Sequence, residues 1–517
     1  MPEKGPSITF YGGINEIGGN KFLLEDRGTR IFLDFGMQMG LHGRYYDMMM
    51  PPRKHSSLAD LFEFELLPKI NGIYRQDYTR HFSRGPDPKG WFEKDSRADN
   101  GVDGVLLTHA HVDHCQYVHY LRPDIPIYCT EATKIIMQAL QDTGGGSSED
   151  EIVRYKESFK TYTNSKGDKS WATDEKHREE RERAIHITKP YKRYKIDSIE
   201  FEALPVDHSL PGACAFIIHT STGSIGYTGD LRFHGRRGGE TEKFVKRCGK
   251  AGLDYMLCEG TRVDVRSSPT EQDVEDDASE IIRGTENLAV VSYPVRDLDR
   301  FLSMYNAAVA SGREMVIDFK QAYLLKLFEK SKGGRGAYPG LGDPHLRLFV
   351  PRMGKGLAGA SEAAWGSKLL MGDYGSRWEK DIISDDDIGR VTYRDVGRGQ
   401  KRYVMYCSDF RLQQLVDIRP KKGSSYIHSS TEPFSDEMVL DHDRIKRWLH
   451  HFGMIEGEKS WNTLHVSGHG TGDQIRRVVK ESGAKRMIPI HTEHGDYFRY
   501  WHGDVITGNS NGGRIEM

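Results

Sequence analysis

Residues 104–114 read GVLLTHAHVDH, an apolar run that breaks into three histidines and an aspartate within six positions. Alternate residues of an extended segment project to the same side, so His109 and His111 can share one ion. Asp113 and His114 lie where the loop should turn into the helical VDHCQYVHYL, and can face an adjacent site. Neutral imidazole and carboxylate are the ligands of hydrolytic zinc and manganese sites. Single histidines are usually ordinary surface or core residues, and this chain has 22 of them. The HxHxDH spacing sets this group apart. Two more candidates stand at strand ends downstream, His208 in LPVDHSLPGA and Asp230 in IGYTGDLRFHG.

Composition limits what such a site can serve. At 517 residues the chain exceeds a single core, and its length suggests about three domain-sized units. Hydrophobic residues make up 37% and charged residues 29%, as in a water-soluble globular protein. No stretch approaches the roughly 20 apolar residues of a membrane span, so no membrane partner is expected. The start, MPEKGPSITFYGG, has no apolar signal core and runs into a strand, which makes the cytoplasm the expected location. Six cysteines without a CxxC pair read as free thiols. The charge balance is 73 − 75 = −2. That neither advertises nor excludes a polyanionic substrate, because acidic metal ligands can offset a basic groove in the total.

Along the chain, SITFYGG, NKFLLED and TRIFLDFG read as a strand meander at a sheet edge. Insertions are expected near 41–100 and 144–187. The second contains the charge run DEKHREERERA, read as a solvated helix or loop. Strands resume at SIEFEALPV, CAFIIHT, SIGYTGD and YMLCEG. From about residue 266 strands and helices alternate, which signals a parallel α/β layer. Later segments read as the helix DHDRIKRWLHHFG, the strand TLHVSG, the helix GDQIRRVVKESG and the strand RMIPIHT.

The order HxHxDH, then His208, then Asp230 resembles the metallo-β-lactamase fold. The segments GGINEIGGNKFLLE, MLCEGTR, HVSGHGTGDQ and MIPIHTEHG further resemble ribonuclease J and its β-CASP relatives. The resemblance implies an α/β fold: a metallo-β-lactamase αββα sandwich interrupted by an inserted β-CASP α/β domain. The expected division is 1–265 and 461–517 for the sandwich and 266–460 for the insert. It also implies two divalent metal ions, zinc first, with manganese or magnesium as alternatives. One ion would be held by His109, His111 and His208, the other by Asp113, His114 and His491, with Asp230 bridging both. Glu259 matches the family's motif A, His469 motif B and His491 motif C. Ribonuclease J usually carries a further C-terminal domain used in dimer assembly. This chain stops about 25 residues after His491, so a homo-oligomer is not expected by that route.

The function so implied is a ribonuclease acting on single-stranded RNA as a 5′-3′ exonuclease, an endonuclease or both. Asp113, Glu259 and His469 are the expected catalytic residues. His469, oriented by Glu259, would protonate the leaving 3′-oxygen. Ser467, His469 and Thr471, with backbone N–H groups at the start of the following helix, would seat a substrate phosphate. Asp34 and Asp207 are candidate partners for ligating imidazoles. Arg419, Lys421 and Lys422 could track a nucleic-acid backbone, although a solvated loop explains them as well. Three other functions compete. A DNA nuclease of the same family commonly has valine at motif C, so His491 favours RNA. Small-molecule hydrolases of the superfamily lack the inserted domain. A catalytically inactive RNA-binding scaffold should have lost ligands, and none of the seven is missing.

Overall fold

Along Phe22–Asp26 and Thr29–Leu33 every second side chain (Phe22, Leu24, Ile31, Leu33) enters one apolar core, while Leu23 and Phe32 enter another. This is the two-residue period of strands buried on both faces. The computed structural model describes residues 5–47, 49–54, 56–79, 101–145, 150–156, 160–163, 165–167, 169–172, 180–357, 366–431, 433, 436–456, 462–509 and 512–517. In it those two strands belong to a seven-stranded sheet. Its spatial order is Ile185–Ile187, Ile127–Cys129, Gly104–Leu106, Thr29–Leu33, Phe22–Asp26, Ser7–Phe10 and Gly513–Glu516. A six-stranded sheet follows the order Arg193–Ile196, Ile199–Pro205, Cys214–His219, Ser224–Tyr227, Tyr255–Glu259 and Arg486–Ile490.

The two sheets close on a shared core in which Ile8, Phe10, Phe22 and Leu33 meet Phe201, Phe216, Leu257 and Ile488. On the outer face of the six-stranded sheet, Met256, Cys258 and Met487 pack on Phe244 and Val245 of the helix Gly238–Ala251 and on Ile475 and Val478 of the helix Gly472–Glu481. On the outer face of the other, Leu23, Phe32 and Val105 pack on Leu58 and Phe62 of the helix Ser57–Glu63 and on Ile136 and Met137 of the helix Glu131–Thr143. Helix, sheet, sheet, helix is the expected αββα sandwich. Truncating a buried ring such as Phe32 to alanine would cost about 3–5 kcal/mol.

The third sheet is wholly parallel, in the order Gly389–Thr392, Leu346–Val350, Glu314–Ile317, Tyr403–Tyr406, Ala289–Ser292, Ser425–His428 and Asn462–Thr463. Helices Glu271–Gly284, Leu298–Ala310 and Phe319–Lys330 join the cluster on one face. Ile445 and Leu449 of the helix Asp436–His451 pack on the other. In sequence this parallel sheet lies between the strands Tyr255–Glu259 and Arg486–Ile490 of the six-stranded sheet.

Some expectations change. The meander is not at a sheet edge, because Gly513–Glu516 pairs antiparallel with Ser7–Phe10 outside it. The strand expected over TLHVSG is only Asn462–Thr463, and it belongs to the parallel sheet. From there residues 464–468 run without regular pairing toward the histidine clusters. Within 41–100, the helix Ser57–Glu63 buries its apolar face on the sandwich, and residues 80–100 lie outside the described residues. Within 144–187, Arg154–Lys156 pairs with Glu180–Glu182, and Lys160–Thr163 with Lys169–Ala172. The described end of the charge run is thus an exposed strand, while residues 173–179 lie outside the described residues.

Candidate metal centre

The strand Gly104–Leu106 leads into an extended stretch that ends at the single turn Val112–Cys115. This turn is held by backbone from the first strands. The Asp113 carbonyl accepts from Gly19 N at 3.0 Å and Asn20 N at 3.1 Å, and the His114 carbonyl accepts from Phe35 N at 2.9 Å. The approach is so close that a Cβ on Gly36 would sit 1.7 Å from the Asp113 carbonyl oxygen. At Gly18, where φ is +78°, a Cβ would come within 2.6 Å of Asp113 Oδ2. GGINEIGG and DFG therefore supply the glycines that let the ligand loop dock.

His109 Nε2 lies 2.9 Å from His111 Nδ1, which lies 3.0 Å from His208 Nε2. Asp230 Oδ2 stands 3.6 Å from His109 Nε2 and 3.9 Å from His208 Nε2. The same oxygen is 3.2 Å from His114 Nε2 and 3.7 Å from His491 Nε2, and His491 Nε2 is 3.1 Å from Asp113 Oδ2. A tetrahedral ion with bonds of about 2.0–2.1 Å holds its ligand atoms roughly 3.3 Å apart, close to these spacings. All seven residues anticipated as ligands fall into adjoining groups: His109, His111, His208 and Asp230 form one, Asp113, His114 and His491 another, and Asp230 and His491 also gather with Glu259 and His469.

Outer partners set the imidazoles. His208 Nδ1 is 2.6 Å from the Gly468 carbonyl and His114 Nδ1 is 2.7 Å from Asp34 Oδ2. Thr108 Oγ1 donates to Asp34 at 2.8 Å and lies 3.0 Å from His109 Nδ1. Thr261 Oγ1 donates to the His491 carbonyl at 3.1 Å, which leaves it to accept from His491 Nδ1 at 2.7 Å. Each partner draws the ring proton to Nδ1 and turns the Nε2 lone pair inward. Asp34 therefore acts as anticipated, and Tyr227 also donates to it at 2.5 Å. Asp207 does not support His208. It pairs with the buried Arg232 at 3.2 Å, and a backbone carbonyl has taken its expected place.

Burial pushes His109 and His208 well below the ordinary imidazole range, and His111 down to about 3, so these rings are neutral and ready to ligate. At His114 burial acts the same way, but Asp230, Asp113 and Asp34 outweigh it and hold the ring well above its usual value. Burial opposes ionisation of Asp113 and Asp230, yet neighbouring histidines, His114 foremost, hold both carboxyls below the usual range. Without a cation this pocket stores a proton where positive charge is wanted, and metal binding would displace it. Asp230 Oδ1 is buried and lacks a hydrogen-bond partner among the described residues, as suits an oxygen meant for a cation.

Glu259 is fully buried at the end of its strand. It accepts from Leu231 N at 2.7 Å and lies 3.1 Å from His469 Nδ1. Burial lowers the affinity of His469 for a proton, but Glu259 and Asp230 more than compensate and raise its pKa to about 9. The segment carrying His469 is held by buried arginines. Arg300 pairs with Glu271 at 2.7 Å and donates to the carbonyls of Leu464 at 3.3 Å and Val466 at 3.4 Å. Arg232 donates to the Ser467 carbonyl at 3.1 Å. The expected phosphate seat looks different in detail. Thr471 caps the helix Gly472–Glu481 in a capping box with Gln474, and Ser467 Oγ accepts from His469 N at 3.2 Å. The N–H groups of Gly470, Thr471 and Gly472 also have protein acceptors already. The hydroxyl hydrogens and the His469 ring remain as donors.

A family model described as a beta-lactamase superfamily domain matches residues 85–286. Ribonuclease J of Mycolicibacterium smegmatis is 25% identical over 320 residues, covering 60% of this chain and 44% of the relative. That of Sinorhizobium meliloti is 26% identical over 401 residues, covering 76% and 58%. That of Pyrococcus abyssi is 24% identical over 512 residues, covering 94% and 89%. The chain spans about half the length of the mycobacterial relatives it matches. A crystal structure of a protein of unknown function from Enterococcus faecalis aligns over 99% of this chain and 100% of its own, with a TM-score of 0.68 and 20% identity, and so shares the fold.

Proposed function

We propose that this chain, a metallo-β-lactamase-fold protein similar to ribonuclease J, is a metal-dependent ribonuclease yielding 5′-phosphate and 3′-hydroxyl ends. The observation that carries the reading is the pair of buried Glu259 and His469 set against seven candidate ligands, with Asp230 Oδ2 within 4 Å of His109, His208, His114 and His491. His109, His111, His208 and Asp230 would hold one divalent cation, and Asp113, His114, His491 and Asp230 the other. Imidazole nitrogens in the majority favour zinc, and the extra carboxylate beside His114 also suits manganese. Two such cations supply a nucleophile at neutral pH and offset charge on a phosphodiester.

The protein's own groups handle the proton and the geometry. Glu259 fixes the His469 ring through Nδ1, which leaves Nε2 to hold a proton and hand it to the leaving 3′-oxygen. Glu259, ahead of Asp230, raises the affinity of this imidazole for a proton, up to about 9. Asp34, Thr108 and Thr261 hold ligand rings in register, a role of position and not of chemistry. The Ser467 and Thr471 hydroxyls, with His469, would seat a 5′-phosphate, which permits stepwise removal of nucleotides besides internal cleavage. The expected substrate is single-stranded RNA, and the expected place of action is the cytoplasm. Among the described residues no helix is long and apolar enough to cross a membrane.

The decisive experiment incubates the protein with end-labelled single-stranded RNA and the matching DNA, with and without chelator, and maps the ends. Chelator-sensitive cleavage of RNA is the expected result. Cleavage of DNA with RNA spared would make it a DNA nuclease, and RNA bound but uncut with zinc or manganese present would make it a scaffold. RNA with a 5′-monophosphate should be trimmed faster than the same RNA with a 5′-triphosphate. Equal rates with only internal fragments would remove the exonuclease mode.

A further inference from the structure

Three arginines near the centre are paired with carboxylates. Arg232 Nε lies 3.2 Å from Asp207, Arg237 Nη1 lies 2.7 Å from Asp299, and Arg300 Nε lies 2.7 Å from Glu271. Arg296 has no ion pair among the described residues. Its one hydrogen bond is a long one, 3.4 Å from Nη1 to the carbonyl of Ala110, which lies between the ligands His109 and His111. It sits on the loop that leaves the strand Ala289–Ser292 and enters the helix Leu298–Ala310, at the carboxyl end of a parallel strand, where α/β sheets commonly take ligands. Asp297 beside it is already committed to capping that helix. Arg296 is half-buried, and its charge bears on His111, Asp113 and Cys115.

A half-buried guanidinium without a counter-charge is costly. Cations beside it would raise the cost, because two divalent ions outweigh the carboxylates of Asp113 and Asp230. A phosphodiester removes the imbalance, and the planar guanidinium fork fits two of its oxygens. We propose that Arg296 is a substrate-binding residue that reaches from the inserted domain to hold a backbone phosphate of the RNA against the metal centre. This rests on the ribonuclease reading and makes it specific. The parallel-sheet domain would then contribute directly to the site, and the strand would bind across the seam between the two units.

The test measures binding of fluorescent single-stranded RNA by anisotropy over a salt series, in a metal-loaded His469→Ala background that slows turnover. Arg296→Met should weaken binding about 10- to 100-fold at low salt. It should also reduce the slope of log Kd against log salt by about 0.7, the signature of one lost phosphate contact on a single strand. Arg296→Lys should keep the slope and recover only part of the affinity. Metal content and melting temperature should match the background in both variants. Unchanged affinity and slope would overturn the assignment, and so would loss of metal or fold in both variants, which would make Arg296 a structural tie to Ala110. A wild-type protein that neither binds nor cleaves the RNA would instead overturn the ribonuclease reading itself.

Discussion

At one cation position His111 Nδ1 lies 2.9 Å from His109 Nε2 and 3.0 Å from His208 Nε2, and burial, foremost among the causes, lowers the proton affinity of all three rings. At the other, the candidate ligands are Asp113, His114, whose proton affinity three carboxylates raise, and His491, whose backbone sits at φ +51°. Desolvation thus prepares the first position. Close backbone docking prepares the second, because Asp113 is placed by Gly19, Asn20 and Gly36. The lesson is that two ions sharing one carboxylate can depend on unrelated parts of the fold. Their losses should separate under substitution.

The sharpest way to break this comparison is to remove what the positions share. Asp230→Ala should empty both and lower turnover by about 10³-fold or more, since several kcal/mol of charge stabilisation vanish together. His208→Ala should empty mainly the first position, and His491→Ala or Asp113→Ala mainly the second. Elemental analysis reads the stoichiometry. One ion retained in full by Asp230→Ala would show that the carboxylate is not shared. His469→Ala stands outside both positions and should cost about 10²- to 10⁴-fold in turnover with both ions kept. Loss of an ion in that variant would make His469 a ligand.

The supporting shell separates the positions more gently. Thr261 serves only His491, whereas Asp34 serves His114 directly and His109 through Thr108. Thr261→Val should therefore weaken one ion about 10- to 100-fold, and Asp34→Asn both. Asparagine is a fair probe because Asp34 sits at φ +55°, which it tolerates. Titration against a competing chelator measures the two constants. Equal weakening of both ions by Thr261→Val would contradict the separation.

The candidate ligands were legible because a strand that ends in HxHxDH displays its chemistry locally, and because His208 and Asp230 each follow an apolar run. Glu259, His469 and His491 could be found only through resemblance, since an isolated glutamate or histidine carries no local signature. Thr108, Thr261 and Tyr227 were within reach, each lying one to three residues from a ligand or from Glu259, but a hydroxyl's partner is decided by tertiary contact. Asp207 shows the reverse error: it adjoins a ligand in sequence, and Arg232 has claimed it. The alternation of strands and helices from about residue 266 pointed to the parallel α/β layer, whereas the sandwich could be read only through resemblance. The strand Gly513–Glu516 was illegible because GRIE is short and polar on one side, and pairs with residues some 500 positions away. The extended path after Asn462–Thr463 was read as strand for its apolar residues, but arginine side chains and not a sheet hold its carbonyls.

The smallest effect on turnover is expected at Lys21, beneath the second position. Its buried Nζ donates to the carbonyls of Gly19 at 3.0 Å and Gly36 at 3.1 Å and to Gln38 Oε1 at 3.1 Å. It therefore ties together the two backbone stretches that cradle Asp113. Lys21→Met keeps the length of the side chain and removes all three bonds, so the second ion should bind several-fold more weakly and the first unchanged. Burial pushes the Lys21 ammonium from 10.5 down to about 7, against the pull of Glu16. The unfolded chain holds that proton up to pH 10.5 and the folded chain only to about 7, so between these values unfolding takes up a proton and stability rises with pH. Lys21 should contribute a slope of up to about 1.4 kcal/mol per pH unit in that window, and none well below pH 7, where both states are protonated. Denaturant unfolding of the wild type and Lys21→Met at pH 7 and pH 9 reads the difference, which should move in favour of the wild type as pH rises. Parallel curves would mean that the three acceptors keep Lys21 fully charged in the fold, and its role would then be purely to hold the two glycine loops together.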